Sequence, residues 1–256
     1  MTTTSLVRSR ADVVSGNRGR VRPSYVLMCP DNLVENALPH LRGVNACPLA
    51  TPRLQQAEFG EYLLETEPGA HSVQPLGVGF QSFLYVLDGG ADLVVGQDRF
   101  GLAAGGYCYL PPGETFHLTT PDASRLLWVK KRYDAVDGVA RPHRVVSHVE
   151  DAEHIPDETI GGTYAQLLPD DESFDMAMNV LRFDVGARFS MVEVHHQEHG
   201  LYMLSGAGVY YLGDDHVEVQ ADDFVYMAPY CPQYFYSTGA ERASYLLYKD
   251  VNRDGF

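Results

Sequence analysis

Four residues in the C-terminal half have the types and spacing of metal ligands. Glu193 and His195 stand one residue apart, His199 follows four further on, and Gln233 comes from a later hairpin. Two neutral imidazoles and a carboxylate suit Mn, Fe, Ni, Co or Zn, an amide oxygen adds a hard fourth donor, and positions stay open for substrate or water. Glu193 and His195 share one face of an extended strand, and His199 sits where the next strand begins, so the three converge if the strands curl into a barrel. The competing reading is a histidine-rich surface stretch, His195-His196-Gln197-Glu198-His199. His196 and Glu198 alternate out of phase with His195 and are expected to face outward. Near the chain's end Tyr245, Leu247 and Lys249 alternate onto one face of a final strand, where an inward lysine needs an anionic partner. A strand-end lysine in solvent is the plain alternative. Tyr210, in the run GVYYL, is a weaker candidate for lining the same pocket, and Cys231, two residues before Gln233, reads as a small buried hydrophobe.

The elements that must hold these side chains are strands. Segments such as YLLETEPGA, SFLYVLDGG, VLRFDVGA, LYMLSGAGVYYL and FVYMAP are rich in Val, Tyr, Phe and Leu and broken by Gly, Pro and Asp. That pattern predicts an all-β sandwich or barrel. Two stretches superimpose without a gap at an offset of 117: Gly69 falls on Gly186, Tyr85 on Tyr202, Leu87 on Leu204, Gly89 on Gly206, Tyr109 on Tyr226 and Pro112 on Pro229. The chain therefore reads as one β module duplicated. The expected organisation is an N-terminal arm over 1–50, a first module over 51–133, a polar connector over 134–172 and a second module over 173–256. At the same offset Glu193, His195, His199 and Gln233 correspond to Leu76, Val78, Ser82 and Phe116, so only the second module is equipped for a metal. In the first, Val78 and Phe116 are expected to fill the space the metal takes in its twin.

Composition removes several classes of partner. The formal net charge is −15, which repels nucleic acid and anionic membrane surfaces, and no run is long enough to span a bilayer. Arg8, Arg10, Arg18, Arg20 and Arg22 cluster early with no apolar run behind them and read as a solvated arm. Four scattered cysteines with no paired spacing fit a reducing cytoplasm.

The spacing of Glu193, His195, His199 and Gly206 resembles the first motif of the cupin superfamily, and Pro229 with Gln233 resembles its second motif with glutamine in place of the usual histidine. The fold this implies is two tandem jelly-roll-like cupin barrels. The variant with glutamate first and glutamine last, in a two-module chain whose first module lacks ligands, is similar to the (S)-ureidoglycine aminohydrolase family of allantoin and purine degradation. FLYVLDGG, FDMAMNVLRFDVGA, QEHGLYMLSGAGVY and SYLLYKDVNRD carry the likeness, which runs from about Arg18 to the end. The resemblance implies one Mn²⁺ per chain in the second module and hydrolysis of a C–N bond in (S)-ureidoglycine, giving (S)-ureidoglycolate and ammonia. It also implies a homo-oligomer, and substrate contacts at Glu193, Gln233, Tyr245 and Lys249. Two alternatives stay open: another metal-dependent cupin enzyme, an isomerase or dioxygenase acting on a small carboxylic acid, or a non-catalytic bicupin that binds a small molecule.

Overall fold

The computed structural model describes residues 17–54 and 57–253; Arg8 and Arg10 lie outside them. Among the described residues the only helices are two three-residue 3₁₀ turns, Pro30–Asn32 and Val149–Asp151. All other regular structure is strand, as the alternating Val, Tyr and Leu segments predict.

Two compact units emerge, and each gathers pieces from several parts of the chain. One comprises residues up to Leu33, Pro156–Tyr164 and Leu181–Tyr248; the other comprises Val34–Ile155, Ala165–Val180 and the residues from Lys249 on. The segment between the two copies supplies edge strands. Val145–His148 pairs with Gly106–Leu110, and Ile155–Asp157 with Gly162–Gln166 closes the edge of the sheet that holds His199.

The duplication is visible strand by strand. In the first copy the order Gly106–Leu110, Gln81–Asp88, Ser124–Lys131, Phe59–Ser72 is followed on the same sheet by His117–Thr120, Gly90–Val95 and Asp98–Ala103. The second copy repeats it as Phe224–Met227, His199–Ser205, Ala243–Asp250, Met176–Phe183, with Gln233–Ser237, Ala207–Leu212 and Asp215–Gln220 as a separate three-stranded sheet. Each copy closes over its own apolar cluster. Leu64, Leu84, Leu93, Phe116 and Trp128 are central in the first, and Phe183, Leu201, Tyr210, Phe235 and Tyr245 in the second. Gly206, with φ 72°, shows why the duplicated glycine is needed. A Cβ there would lie 2.6 Å from the Arg242 carbonyl oxygen and 2.7 Å from the Ala243 Cα, a contact and a left-handed backbone that only glycine tolerates.

Arg20 and Arg22 are exposed as expected, but Arg18 is not part of a solvated arm. Arg18 grips the fully buried Asp223 through both guanidinium nitrogens, at 2.5 and 2.8 Å, and Arg22 pairs with Asp215 at 2.8 Å. Tyr25–Met28 behind them pairs with Phe224–Met227. A strand of four residues is too short to announce itself by periodicity.

Glu61, on Phe59–Ser72, is an uncompensated polar group in the first unit. It is buried beside Val129 and Ala50 on the neighbouring strands, and its Oε2 has no hydrogen-bond partner among the described residues. Desolvation lifts its pKa from 4.5 to about 8, so the folded chain holds it neutral at pH 7. A carboxyl raised on folding keeps its proton while the unfolded chain loses it. Stability therefore falls as pH climbs from about 4.5 to about 8, by up to about 1.4 kcal/mol per pH unit, and is flat beyond. Thermal melts of Glu61→Gln are predicted to show a gain over the unmodified chain that grows from pH 5 to pH 8.5. A gain that is constant or shrinking across that range would show that the carboxyl is not held neutral.

Candidate metal centre

Glu193 and Gln233 face each other across an isolated antiparallel bridge whose backbone groups exchange both hydrogen bonds, at 2.9 and 3.0 Å. Directly opposed residues of such a pair present their side chains to the same face. A third backbone bond, from the Tyr230 N–H to the His195 carbonyl at 2.7 Å, ties the same two segments two residues on. Tyr230 adopts φ 62° to make it, a left-handed conformation unusual for a tyrosine and held here by the turn before Gln233. The first barrel carries the same bridge, Leu76 with Phe116, at 2.8 and 3.2 Å. The duplication therefore reproduces the backbone of the site and changes only its side chains.

Three of the four expected donors meet at their tips. His195 Nε2 lies 2.9 Å from the Gln233 side-chain amide and 3.3 Å from His199 Nε2. Donors bound at ~2.1 Å to one ion stand about 3.0 Å apart at right angles and about 3.4 Å apart at the tetrahedral angle, so this spacing fits hydrogen-bonded side chains and equally leaves room for one shared ion. A half-turn of the Gln233 amide exchanges nitrogen for oxygen toward the ion. His199 and Gln233 are buried, while Glu193 and His195 are half-exposed at the mouth. Among the described residues no three His, Cys, Asp or Glu side chains cluster at metal-binding distance. The convergent set is two imidazoles and an amide, with Glu193 brought to the same face by its bridge.

Beneath these groups lie two tyrosines. Tyr210 and Tyr245 are fully buried with hydroxyls 3.5 Å apart. Burial raises both well above the ordinary phenol range, and the Glu193 charge adds a smaller push in the same direction. Tyr245 is lifted further by Tyr210, whereas their hydrogen bond opposes part of the rise in Tyr210. Both hydroxyls thus remain protonated at neutral pH and act as donors. The Glu193 charge acts on Tyr210 as well as on Tyr245, and Tyr210 touches Tyr245 through its hydroxyl. Leu247 and Lys249 continue the Tyr245 face of Ala243–Asp250, and Lys249 is half-buried at the strand's end.

Two expectations about neighbours fail. Glu198 does not face solvent; it is buried, and the Tyr226 hydroxyl donates to it at 3.2 Å. It immediately precedes the strand that starts at His199 opposite Met227, so phase carried over from His195 does not survive the turn between them. In the first barrel Val78 is 67% exposed and fills nothing; Phe116, packed edge-on against Trp128, does the filling alone. Cys231 is buried with its thiol pKa raised by desolvation, the state of an inert cysteine.

Titration with one equivalent of the diamagnetic ion Zn²⁺ is predicted to move the imidazole nitrogen resonances of His195 and His199 together and leave exposed His196 in place. Equal movement of His196, or none at either residue, would show that the two rings do not share an ion.

Comparison with known proteins extends this geometry. The cupin domain pattern matches residues 179–248. The (S)-ureidoglycine aminohydrolase of Escherichia coli K12 is 36% identical over 254 residues, covering 97% of this chain and 94% of its own length. That of Arabidopsis thaliana is 29% identical, covering 95% and 81%. The crystal structure of protein Ylba from E. coli matches with a TM-score of 0.85 at 34% identity, over 97% of this chain and 100% of that one. Bacillus subtilis oxalate decarboxylase, at 14% identity and a TM-score of 0.70 over 98% and 86%, shares the bicupin fold.

Proposed function

The chain belongs to the (S)-ureidoglycine aminohydrolase family of bicupin hydrolases, and from that premise we propose that its second barrel releases ammonia from (S)-ureidoglycine with the aid of one bound Mn²⁺. The convergence of His195, His199 and Gln233 beside Glu193 is the observation that carries this reading. Two imidazoles with a carboxylate and an amide oxygen are an oxygen-rich set that suits manganese. When bound, the ion supplies Lewis acidity and a lowered pKa for water at the open positions.

The chain's own groups do the positioning. Lys249 Nζ and the protonated Tyr245 hydroxyl donate to the substrate carboxylate, and Glu193 accepts from its amine N–H. Held at three points, a single stereoisomer is presented in one orientation. The ureido nitrogen donates its lone pair to form a C=N bond as the amine, in its protonated –NH₃⁺ form, departs as ammonia, and water then adds to the cationic carbon and gives up that one proton. The product is (S)-ureidoglycolate, and the reaction consumes one water for each ammonia released. Tyr210, through its hydroxyl contact with Tyr245, fixes the direction in which that donor points. We place this activity in allantoin degradation, in a reducing cytoplasm that matches four free cysteines. The exposed Val185, Met191, Val192 and Val194 offer apolar surface that a homo-oligomer would cover.

Glu193→Ala and His195→Ala are each predicted to lose bound manganese and to lower ammonia release, from ureidoglycine generated in situ, by at least about a hundredfold. Full activity in a metal-free variant contradicts the proposal. Lys249→Met is predicted to raise KM for ureidoglycine by about tenfold or more while manganese stays bound. An unchanged KM removes the lysine from the carboxylate contact.

A further inference from the structure

The first barrel has its own pocket where the second has its metal centre. It encloses about 160 Å³ at the barrel mouth, bounded by His40, Gln74, Leu76, Phe80, Trp128 and Lys130, and Leu76 is the counterpart of Glu193. At ~30 Å³ per water this is room for about five waters, the volume of a two- to four-carbon acid. We propose that this pocket is a binding site for a small monocarboxylate, held by the Lys130 ammonium and the Trp128 indole N–H, with the buried Ser82 hydroxyl set behind Gly77 in its wall.

Among the described residues none of these three donors has a hydrogen-bond acceptor or ion-pair partner. Among the described residues no carboxylate lies within ion-pair distance of Lys130; its Nζ rests instead against the rings of Tyr62 and Trp128, 4.6 and 4.7 Å from their centroids. Burial lowers its pKa; the pKa of half-buried His40 is lowered by burial first and then by the Lys130 charge. The Trp128 Nε1 and the Ser82 Oγ are both buried with no hydrogen-bond partner among the described residues. Orphaned buried donors are rare and costly, and two beside one cation need an acceptor. Strand register places them together: Lys130 pairs directly with Ser82 across Ser124–Lys131 and Gln81–Asp88, and Trp128 lies two residues along the same face. One cation balances a monocarboxylate and leaves a phosphate dianion undercompensated.

The duplication points the same way. The closing strands Ser124–Lys131 and Ala243–Asp250 match at an offset of 119, and the contacts of the paired glycines confirm it, Gly89 meeting Ala123 and Ser124 where Gly206 meets Arg242 and Ala243. Lys130 is then the counterpart of Lys249. The first barrel has lost the metal donors and kept the lysine. This site stands on the first barrel's own geometry, whatever the second barrel does.

Trp128 is the one tryptophan of the sequence, so its fluorescence reads this pocket alone. Titrating glycolate into the full-length, manganese-loaded protein is expected to change Trp128 emission saturably, and to do so equally in Lys249→Met. Neutral glycolamide, and chloride at matched ionic strength, are expected to leave it unchanged. Lys130→Met is expected to abolish the response or move its midpoint by about tenfold or more, with ammonia release at saturating ureidoglycine unaltered. An absent or non-saturating response in the unmodified protein overturns the proposal without any variant, as does an equal response to glycolamide. A response preserved in Lys130→Met overturns it too.

Discussion

The reciprocal backbone hydrogen bonds between Glu193 and Gln233 are the constraint on which the site depends. They hold the segment leading into His199–Ser205 against the start of Gln233–Ser237, and so bring residues forty positions apart in sequence to one face. Because side chains alternate with a period of two, a slip of one residue in this pairing would turn Glu193 and His195 away from the barrel together. The Tyr230 N–H, bonded to the His195 carbonyl, guards against that slip at the cost of a left-handed tyrosine. The first barrel makes the same bridge with Leu76 and Phe116, which shows that the backbone arrangement does not require the metal.

What differs between the barrels is where polarity is placed. In the first, Phe116 packs on Trp128 and the core closes dry, leaving donors only at the mouth. In the second, His199, Gln233, Tyr210 and Tyr245 bring polar atoms into the interior, an expensive arrangement unless those atoms find partners. The tyrosine pair satisfies itself in part and is kept protonated by burial and by the charge of Glu193. An ion between the imidazoles would compensate the rest, and a carboxylate held by Lys249 would balance the charge introduced at the rim.

Much of this was legible in the sequence. The strands, the duplication and the pairing of Glu193 with Gln233 on one face follow from residue types and one constant offset, because strand alternation and turn glycines leave a local trace. Other features leave none. Arg18 meeting Asp223 joins residues 205 positions apart, and nothing in either neighbourhood announces the pair. Glu198 was misplaced because alternation was carried through the turn before His199, where the register resets. Lys130 was hidden for a related reason: the offset of 117 slides to 119 before the closing strands, so a rigid comparison aligns it with Leu247 and conceals its likeness to Lys249.

The account turns on whether one ion is held by both imidazoles of the second barrel. Electron spin-echo spectroscopy of the manganese-loaded protein tests this directly, since nitrogen bound to Mn²⁺ modulates the echo. Modulation from two coordinated imidazole nitrogens, reduced to one in His199→Ala, is the predicted result. Modulation from fewer than two nitrogens in the unmodified protein, or a spectrum unchanged by that substitution, would contradict it.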